Sequence, residues 1–280
     1  MRVAITGASG FVGRHVLREL QSRDLDIVIT SRSPKHEHEQ GPKTEVVQMN
    51  IAHGSPDPYE SLRRPDVLIH LAWDGLPNYQ SPAHIETELP TQLRFLRTCL
   101  ASGLKRLVVT GTCFEYGKTQ GKICEDSPSQ PCTRYGEAKD TLRKQLEAIQ
   151  SKHPFQLAWL RLFYLYGEAQ SKSSLYSSLA AAMLRGDAKF DMSGGDQVRD
   201  FLPIQAAARV IADLALLPAD IGIVNVCSGI PTTVREQVEE WIKGKNSKIR
   251  MNLGQMSYSE FEPMSFWGDR TKLDKLLGAM

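Results

Sequence analysis

The chain lacks the features that would take it out of the ordinary globular class. Its 280 residues hold five cysteines, Cys99, Cys113, Cys124, Cys132 and Cys227. The number is odd and no two form a close C-x-x-C pair, so neither a disulfide framework nor a zinc site is suggested, and no metal is expected. The formal net charge is only +2, which gives no electrostatic reason to expect nucleic acid or a membrane surface as partner. No run of about eighteen apolar residues occurs, so no membrane span is expected. The first apolar strand reads from Arg2, which leaves no room for a secretory signal before it, and a reducing, cytoplasmic location is the simplest expectation. Internal repeats and low-complexity tracts are missing. What remains, 41% hydrophobic and 24% charged residues, suits a globular chain with ample core.

Apolar runs alternate with helical patterns along this chain, the signature of a parallel sheet covered on both faces. Strands are expected at residues 2–6, 26–30, 45–49, 67–71, 106–110, 156–162 and 223–226. Helical periodicity is clearest at 93–99 and 135–151, and returns at 179–184, 204–217, 234–242 and 272–277. The fold class is therefore α/β, a Rossmann-like doubly wound parallel sheet. The stretch 33–43, with His36-Glu37-His38-Glu39, reads as a polar surface loop rather than a metal site.

Two motifs carry chemistry. Strand 2–6 runs into Gly7-Ala8-Ser9-Gly10-Phe11-Val12-Gly13 and then a helix, the start of a dinucleotide-binding unit with glycines spaced G-x-x-G-x-x-G. Gly7 allows the tight turn, Gly10 close approach of backbone to a pyrophosphate, and Gly13 tight packing of helix on strand, with the helix amino terminus facing the phosphates. The second motif is Tyr135-Gly136-Glu137-Ala138-Lys139, a phenol and an ammonium one helical turn apart on one face. An adjacent positive charge is expected to lower the phenol's pKa from its ordinary value of about 10. At the end of the second strand an acidic residue would select NAD. This chain has Thr30-Ser31-Arg32-Ser33 instead, a guanidinium fork between hydroxyls, which favours NADP(H). Asn50 and Ile51 are expected near the adenine.

Together with the segments between them, these motifs resemble the extended short-chain dehydrogenase/reductase family of nucleotide-sugar epimerases, dehydratases and reductases. Thr6 to Gly13 matches the cofactor turn, His70-Leu71-Ala72 the segment after the fourth strand, and Thr110-Gly111-Thr112 with Tyr116-Gly117 the stretch bearing the catalytic hydroxyl. Tyr135 and Lys139 match the catalytic pair, Arg161 to Gly167 the sixth-strand end, and Arg199-Asp200-Phe201-Leu202-Pro203-Ile204 a segment near the substrate nucleotide. The resemblance implies a dinucleotide-binding domain of residues 1–168, with 204–228 returning to it, and a smaller C-terminal substrate-binding domain of 169–203 and 229–280. It implies Tyr135 as proton donor, Lys139 as ligand of the nicotinamide ribose and Thr112 as a hydrogen-bond donor to the reacting oxygen. Gly7, Ser9, Gly10, Phe11, Val12, Ser31, Arg32, Ser33, Asn50, Ile51, Leu71, Ala72, Trp73, Thr110, Tyr135, Lys139 and Leu162 are the expected cofactor contacts. Trp73, Asn78, Thr112, Tyr164 and Arg199 are the expected substrate contacts, with Asp74 and Tyr79 in the same loop. A homodimer is implied through helices flanking the tyrosine.

Departures from the family pattern bear on the subclass. The resembled dehydratases carry Asp-Glu directly after the threonine, where this chain has Cys113-Phe114, and Glu115 is one place late. A one-residue offset in extended chain reverses side-chain direction, which disfavours dehydration. Cys113 reads as a packing residue. Thr87 and Tyr164 stand where asparagines are common. Arg32 suits a net reductase better than an epimerase that retains NAD. The wording 111–117 and 72–77 resembles reductases of dTDP-4-keto-6-deoxyhexoses, which make dTDP-fucose or dTDP-6-deoxy-talose for surface polysaccharide. A nucleotide-sugar epimerase and a non-catalytic NADP-binding sensor stand as alternatives; sensors usually lose the tyrosine or lysine, and both are present.

Overall fold

A computed structural model describes residues 1–32, 41 and 43–278. Ser33 and the histidine-bearing part of the 33–43 stretch lie outside the described residues. The chain runs β1 (Arg2–Thr6), α1 (Phe11–Gln21), β2 (Asp26–Ser31), β3 (Thr44–Gln48), α2 (Pro58–Ser61), β4 (Val67–His70), α3 (Leu89–Ala101), β5 (Arg106–Thr112) and β6 (Gly121–Ile123). It continues with α4 (Arg134–Gln150), β7 (Gln156–Leu162), β8 (Tyr164–Tyr166), α5 (Leu175–Arg185), β9 (Lys189–Asp191), β10 (Val198–Pro203), α6 (Ile204–Leu216) and β11 (Gly222–Val226). The last elements are β12 (Pro231–Thr233), α7 (Val234–Gly244), β13 (Arg250–Asn252), β14 (Phe266–Gly268) and α8 (Thr271–Gly278).

Seven strands form one sheet in the order β3-β2-β1-β4-β5-β7-β11, and every neighbouring pair is parallel. Parallel strands require helical crossovers, so both faces become covered and both sets of alternating side chains must be apolar. Val3, Ile5, Ile27, Ile29, Val67, Ile69 and Leu160 point to one face, where α1, α6 and α8 contribute Val16, Leu20, Ala208, Ile211 and Leu273. Ala4, Val28, Leu68, Leu107, Val109 and Trp159 point to the other, against Phe95, Leu96, Leu142 and Leu146 of α3 and α4. Each central position is therefore felt: Leu68 is fully buried, and truncating such a leucine to alanine costs about 2–5 kcal/mol.

The chain order reverses between β1 and β4, and at such a switch point the connections leave in opposite directions and open a crevice beyond the strand carboxyl ends. Separate from the large sheet, β12-β10-β8 form a three-stranded sheet, β13 pairs with β9, and β14 pairs with β6. A second small core, including Leu179, Met192, Val238 and Trp241, gathers α5 and α7 over β9 and β13.

Candidate active site

The crevice at the switch point is a groove of ≈ 760 Å³, open to solvent. Gly7, Ser9, Gly10, Ser31, Arg32, Asn50, Ile51, Leu71, Ala72 and Trp73 all line it. Gly7 has φ +76, and a Cβ there would stand 2.7 Å from the backbone nitrogen of Ala72, so the turn presses directly on the β4 exit. Gly10 precedes α1 with no side-chain cap, and the first turn of α1, where Phe11 and Val12 lie, has no acidic residue. The free amide groups and the positive end of the helix are left for an anion. This cradle fits a dinucleotide pyrophosphate. Asn50 turns its side chain inward to the chain, its Oδ1 accepting from the Ala52 amide at 3.0 Å. Arg32 meets Asp74 across the groove mouth at 2.8 Å, both side chains about two-thirds exposed (68% and 65%). Sequence reasoning missed Glu88, Thr91 and Gln92 in the wall, where polar residues at helical spacing read as an ordinary solvated helix face; in the structure Gln92 Nε2 donates to Glu88 at 3.0 Å.

Beyond the groove, β5 ends at Thr112, whose Oγ1 accepts from the Phe114 amide at 3.2 Å, and whose own amide donates to Glu115 at 2.8 Å. This reciprocal capping closes a tight turn. Glu115 is fully buried and also accepts from Trp159 Nε1 at 3.0 Å and Arg161 Nε at 2.7 Å. Burial raises its pKa against the pull of Arg161. Its carboxylate is thus committed to the turn beneath Thr112. Cys113 is buried and its thiol pushed well up by desolvation, which fits packing rather than attack.

Tyr135 and Lys139 sit on the first turns of α4, whose amino end is capped by Thr133 Oγ1 accepting from Gly136 at 3.0 Å. The Tyr135 amide donates to the Tyr79 carbonyl at 3.0 Å. The Tyr135 ring lies 5.3, 5.8 and 5.9 Å from the rings of His84, Tyr79 and Trp73. Lys139 is 1% exposed, donates to the Thr110 carbonyl at 2.9 Å, and holds its Nζ 4.0 Å from the Trp73 ring centroid. Burial lowers its pKa to about 7, against the opposing charges of Glu115 and Glu88. The expected lowering of the phenol pKa is not the direction found: burial, then neighbouring Tyr79, Glu115 and Cys113, raise that of Tyr135. Lys139 Nζ is 5.8 Å from the Tyr135 ring and turned toward Thr110 and Trp73, so desolvation outweighs its charge. Behind the pair, buried His70 shares a 2.8 Å hydrogen bond with Thr6, and burial followed by the Lys139 charge lowers its pKa to about 3.

On the other side, Phe114 touches Tyr79 and Tyr164 at 4.8 and 6.3 Å. The Tyr164 hydroxyl donates to Glu262 at 2.7 Å. Arg199, 1% exposed, donates to the same carboxylate oxygen from Nε at 3.2 Å and from its terminal nitrogen at 2.8 Å, while its other arm reaches the Val198 carbonyl at 2.9 Å. A nucleotide diphosphate at Arg199 would have to replace Glu262. Asp200, next in the chain, collars the backbone amides of Ser228, Gly229 and Gly268. Asn78 is exposed and Leu162 half-buried at the end of β7. Glu262 and His84, both central to this geometry, carried no sequence signal because their partners are distant in the chain or lie in a loop.

Comparison with known proteins agrees with this architecture. Residues 3–227 match the model of the NAD dependent epimerase/dehydratase family. The chain is 28% identical to a dTDP-6-deoxy-L-talose 4-dehydrogenase (NAD(+)) of Aggregatibacter actinomycetemcomitans over 96% of this chain and 99% of that one. It is 25% identical to a dTDP-6-deoxy-L-talose 4-dehydrogenase (NAD(P)(+)) of Kitasatospora kifunensis over 85% and 77% of the two. In fold it is similar to the UDP-glucuronic acid 4-epimerase of Bacillus cereus solved with UDP-glucuronic acid and NAD, with a TM-score of 0.85 at 20% identity, covering 100% of this chain and 94% of that one.

Proposed function

The chain belongs to the NAD-dependent epimerase/dehydratase family, and from that premise we propose that it is an NADP(H)-dependent reductase of the 4-keto group of a dTDP-activated 6-deoxyhexose. The substrate is dTDP-4-keto-6-deoxyglucose or its epimer, and the product dTDP-fucose or dTDP-6-deoxy-talose. The observation that carries the reading is the junction of groove and catalytic pair: Trp73 lines the cofactor groove and also touches both Tyr135 and Lys139. The two talose 4-dehydrogenase relatives, named for the reverse direction of the same interconversion, support the sugar class.

When bound, the nicotinamide supplies or accepts the hydride. The protein's part is acid–base and electrostatic. Tyr135, kept protonated by its buried site, donates its proton to the oxygen that gains negative charge, and Thr112 Oγ1 donates a second hydrogen bond to it. Lys139 would hold the cofactor ribose, and its charge, 5.8 Å from the Tyr135 ring, would stabilise the resulting phenolate. Glu115 is engaged by Thr112, Trp159 and Arg161, which supports reduction over dehydration because no carboxylate follows Thr112 as a free acid or base. Arg32 supports NADP(H): released from Asp74, which it meets at 2.8 Å, its guanidinium would form charge-assisted bonds to a ribose 2′-phosphate. Residues 169–203, which hold Arg199, and 229–280, whose Glu262 accepts from Tyr164 and Arg199, would receive the sugar nucleotide.

The experiment is reduction with NADPH deuterated at the transferred position. Label at C4 of a 6-deoxyhexose product supports a net reductase. Interconversion of two sugars with no consumption of NADPH would replace that reading with epimerisation.

A further inference from the structure

His84 is fully buried and stands outside every role assigned so far. It opens a single wide π turn, His84–Glu88, immediately before α3, a widening of the helix that occurs mostly at functional sites. Both ring nitrogens are used. Trp73 Nε1 donates to Nδ1 at 3.1 Å, so the ring proton lies on Nε2, which donates to the Asn78 carbonyl at 2.8 Å. The imidazole thus grips both ends of the loop 73–79. A third tie joins the same segments, the Asp74 amide donating to Glu88 at 3.2 Å. Gly75 closes against the ring: it has φ +90, and a Cβ there would come within 3.0 Å of His84 Cε1.

What this clasp holds matters more than the clasp. The indole fixed by His84 lies over Lys139 Nζ at 4.0 Å, and the loop's far end, at Tyr79, accepts the Tyr135 amide. The imidazole itself faces the Tyr135 ring at 5.3 Å. An indole face attracts an ammonium and fills the space around it, and the hydrogen bond from Trp73 Nε1 to His84 fixes the direction in which that face is turned.

We propose that His84 is a positioning residue for the reaction: through the Trp73 indole it holds the cap over Lys139 and the loop against Tyr135, without itself touching substrate or cofactor. The proposal rests on the reductase reading for its kinetic consequences and on geometry alone for its effect on Lys139.

The test uses His84→Ala, His84→Asn, Trp73→Phe and the double variant His84→Ala/Trp73→Phe, with two readouts. The first is the rate at which acetic anhydride labels Lys139, followed by peptide mass spectrometry. It is normalised to Lys272, whose amine is held by the Ile221 and Ile223 carbonyls far from the loop and reports general loosening. Labelling of Lys139 relative to Lys272 should rise about tenfold in His84→Ala and Trp73→Phe, as for loss of one buried hydrogen bond. It should return near wild type in His84→Asn, whose Oδ1 replaces Nδ1 as acceptor. The second readout is turnover of the ketosugar. His84→Ala should lower kcat about tenfold with little change in KM, and the double variant should be no worse than Trp73→Phe, because both break one contact. Unchanged relative labelling in His84→Ala, or additive losses in the double variant, would overturn the proposal. If the wild-type protein reduces no ketosugar, the functional reading fails, and the labelling arm still decides the role of His84.

Discussion

Lys139→Met removes a cation from a site where it is 1% exposed. In the folded protein Lys139 takes up its proton near pH 7, against 10.5 for the unperturbed group. Between those values the unfolded chain binds more protons than the native one, so this group makes stability rise with pH through the window from 7 to 10.5. Below the folded value the penalty is constant. At 1.36 kcal/mol per unit, the penalty is about 4 kcal/mol at pH 7 and about 1 kcal/mol at pH 9.5. Methionine fills the same channel without the charge and surrenders the bond to the Thr110 carbonyl, a loss of about 1 kcal/mol. The variant should therefore be about 3 kcal/mol more stable than wild type at pH 7, and the advantage should shrink to near zero by pH 9.5. Urea unfolding of both proteins at the two pH values measures the difference, and groups common to both cancel. An advantage that does not change with pH, or a variant less stable than wild type at pH 7, would refute the claim that burial holds Lys139 near neutrality.

Tyr135→Phe should lower turnover by about 10²–10⁴-fold, the usual range for a general acid, with NADPH binding by fluorescence titration left within a few-fold. Arg32→Ala should weaken NADPH about 10- to 100-fold, the worth of charge-assisted bonds to a phosphate, with far less effect on NADH; an equal effect on both removes the basis for NADP(H). Glu115→Gln should destabilise the fold by about 3–5 kcal/mol, because Arg161 would be left as an unpaired buried charge, and denaturant melts would reveal it as a lower midpoint.

The large sheet was legible because parallel strands buried on both faces must be written in unbroken apolar runs. The reading of 156–162 coincides with β7 (Gln156–Leu162). The three-residue strands β6, β8, β9 and β12 to β14 were not read as strands, since three residues carry no period. Within the site, the glycine turn and the Tyr135–Lys139 spacing were visible because both are local. The direction of the Tyr135 pKa was not. It depends on His84, Tyr79 and Trp73 arriving from a loop more than fifty residues away to exclude water. Arg199 gave a motif without its partner, because Glu262 lies 63 residues further on. The one-place offset of Glu115 was readable as a departure, but its role under the Thr112 turn needed Trp159 and Arg161 in place.

The central claim is a net 4-ketoreduction, and it is tested most directly by mixing the purified protein with NADPH and dTDP-4-keto-6-deoxyglucose. The account predicts stoichiometric loss of reduced nicotinamide and a dTDP-6-deoxyhexose with a new C4 hydroxyl, both slowed about 10²–10⁴-fold with Tyr135→Phe. NADPH that binds but is not consumed, with this sugar or its epimer, would contradict it.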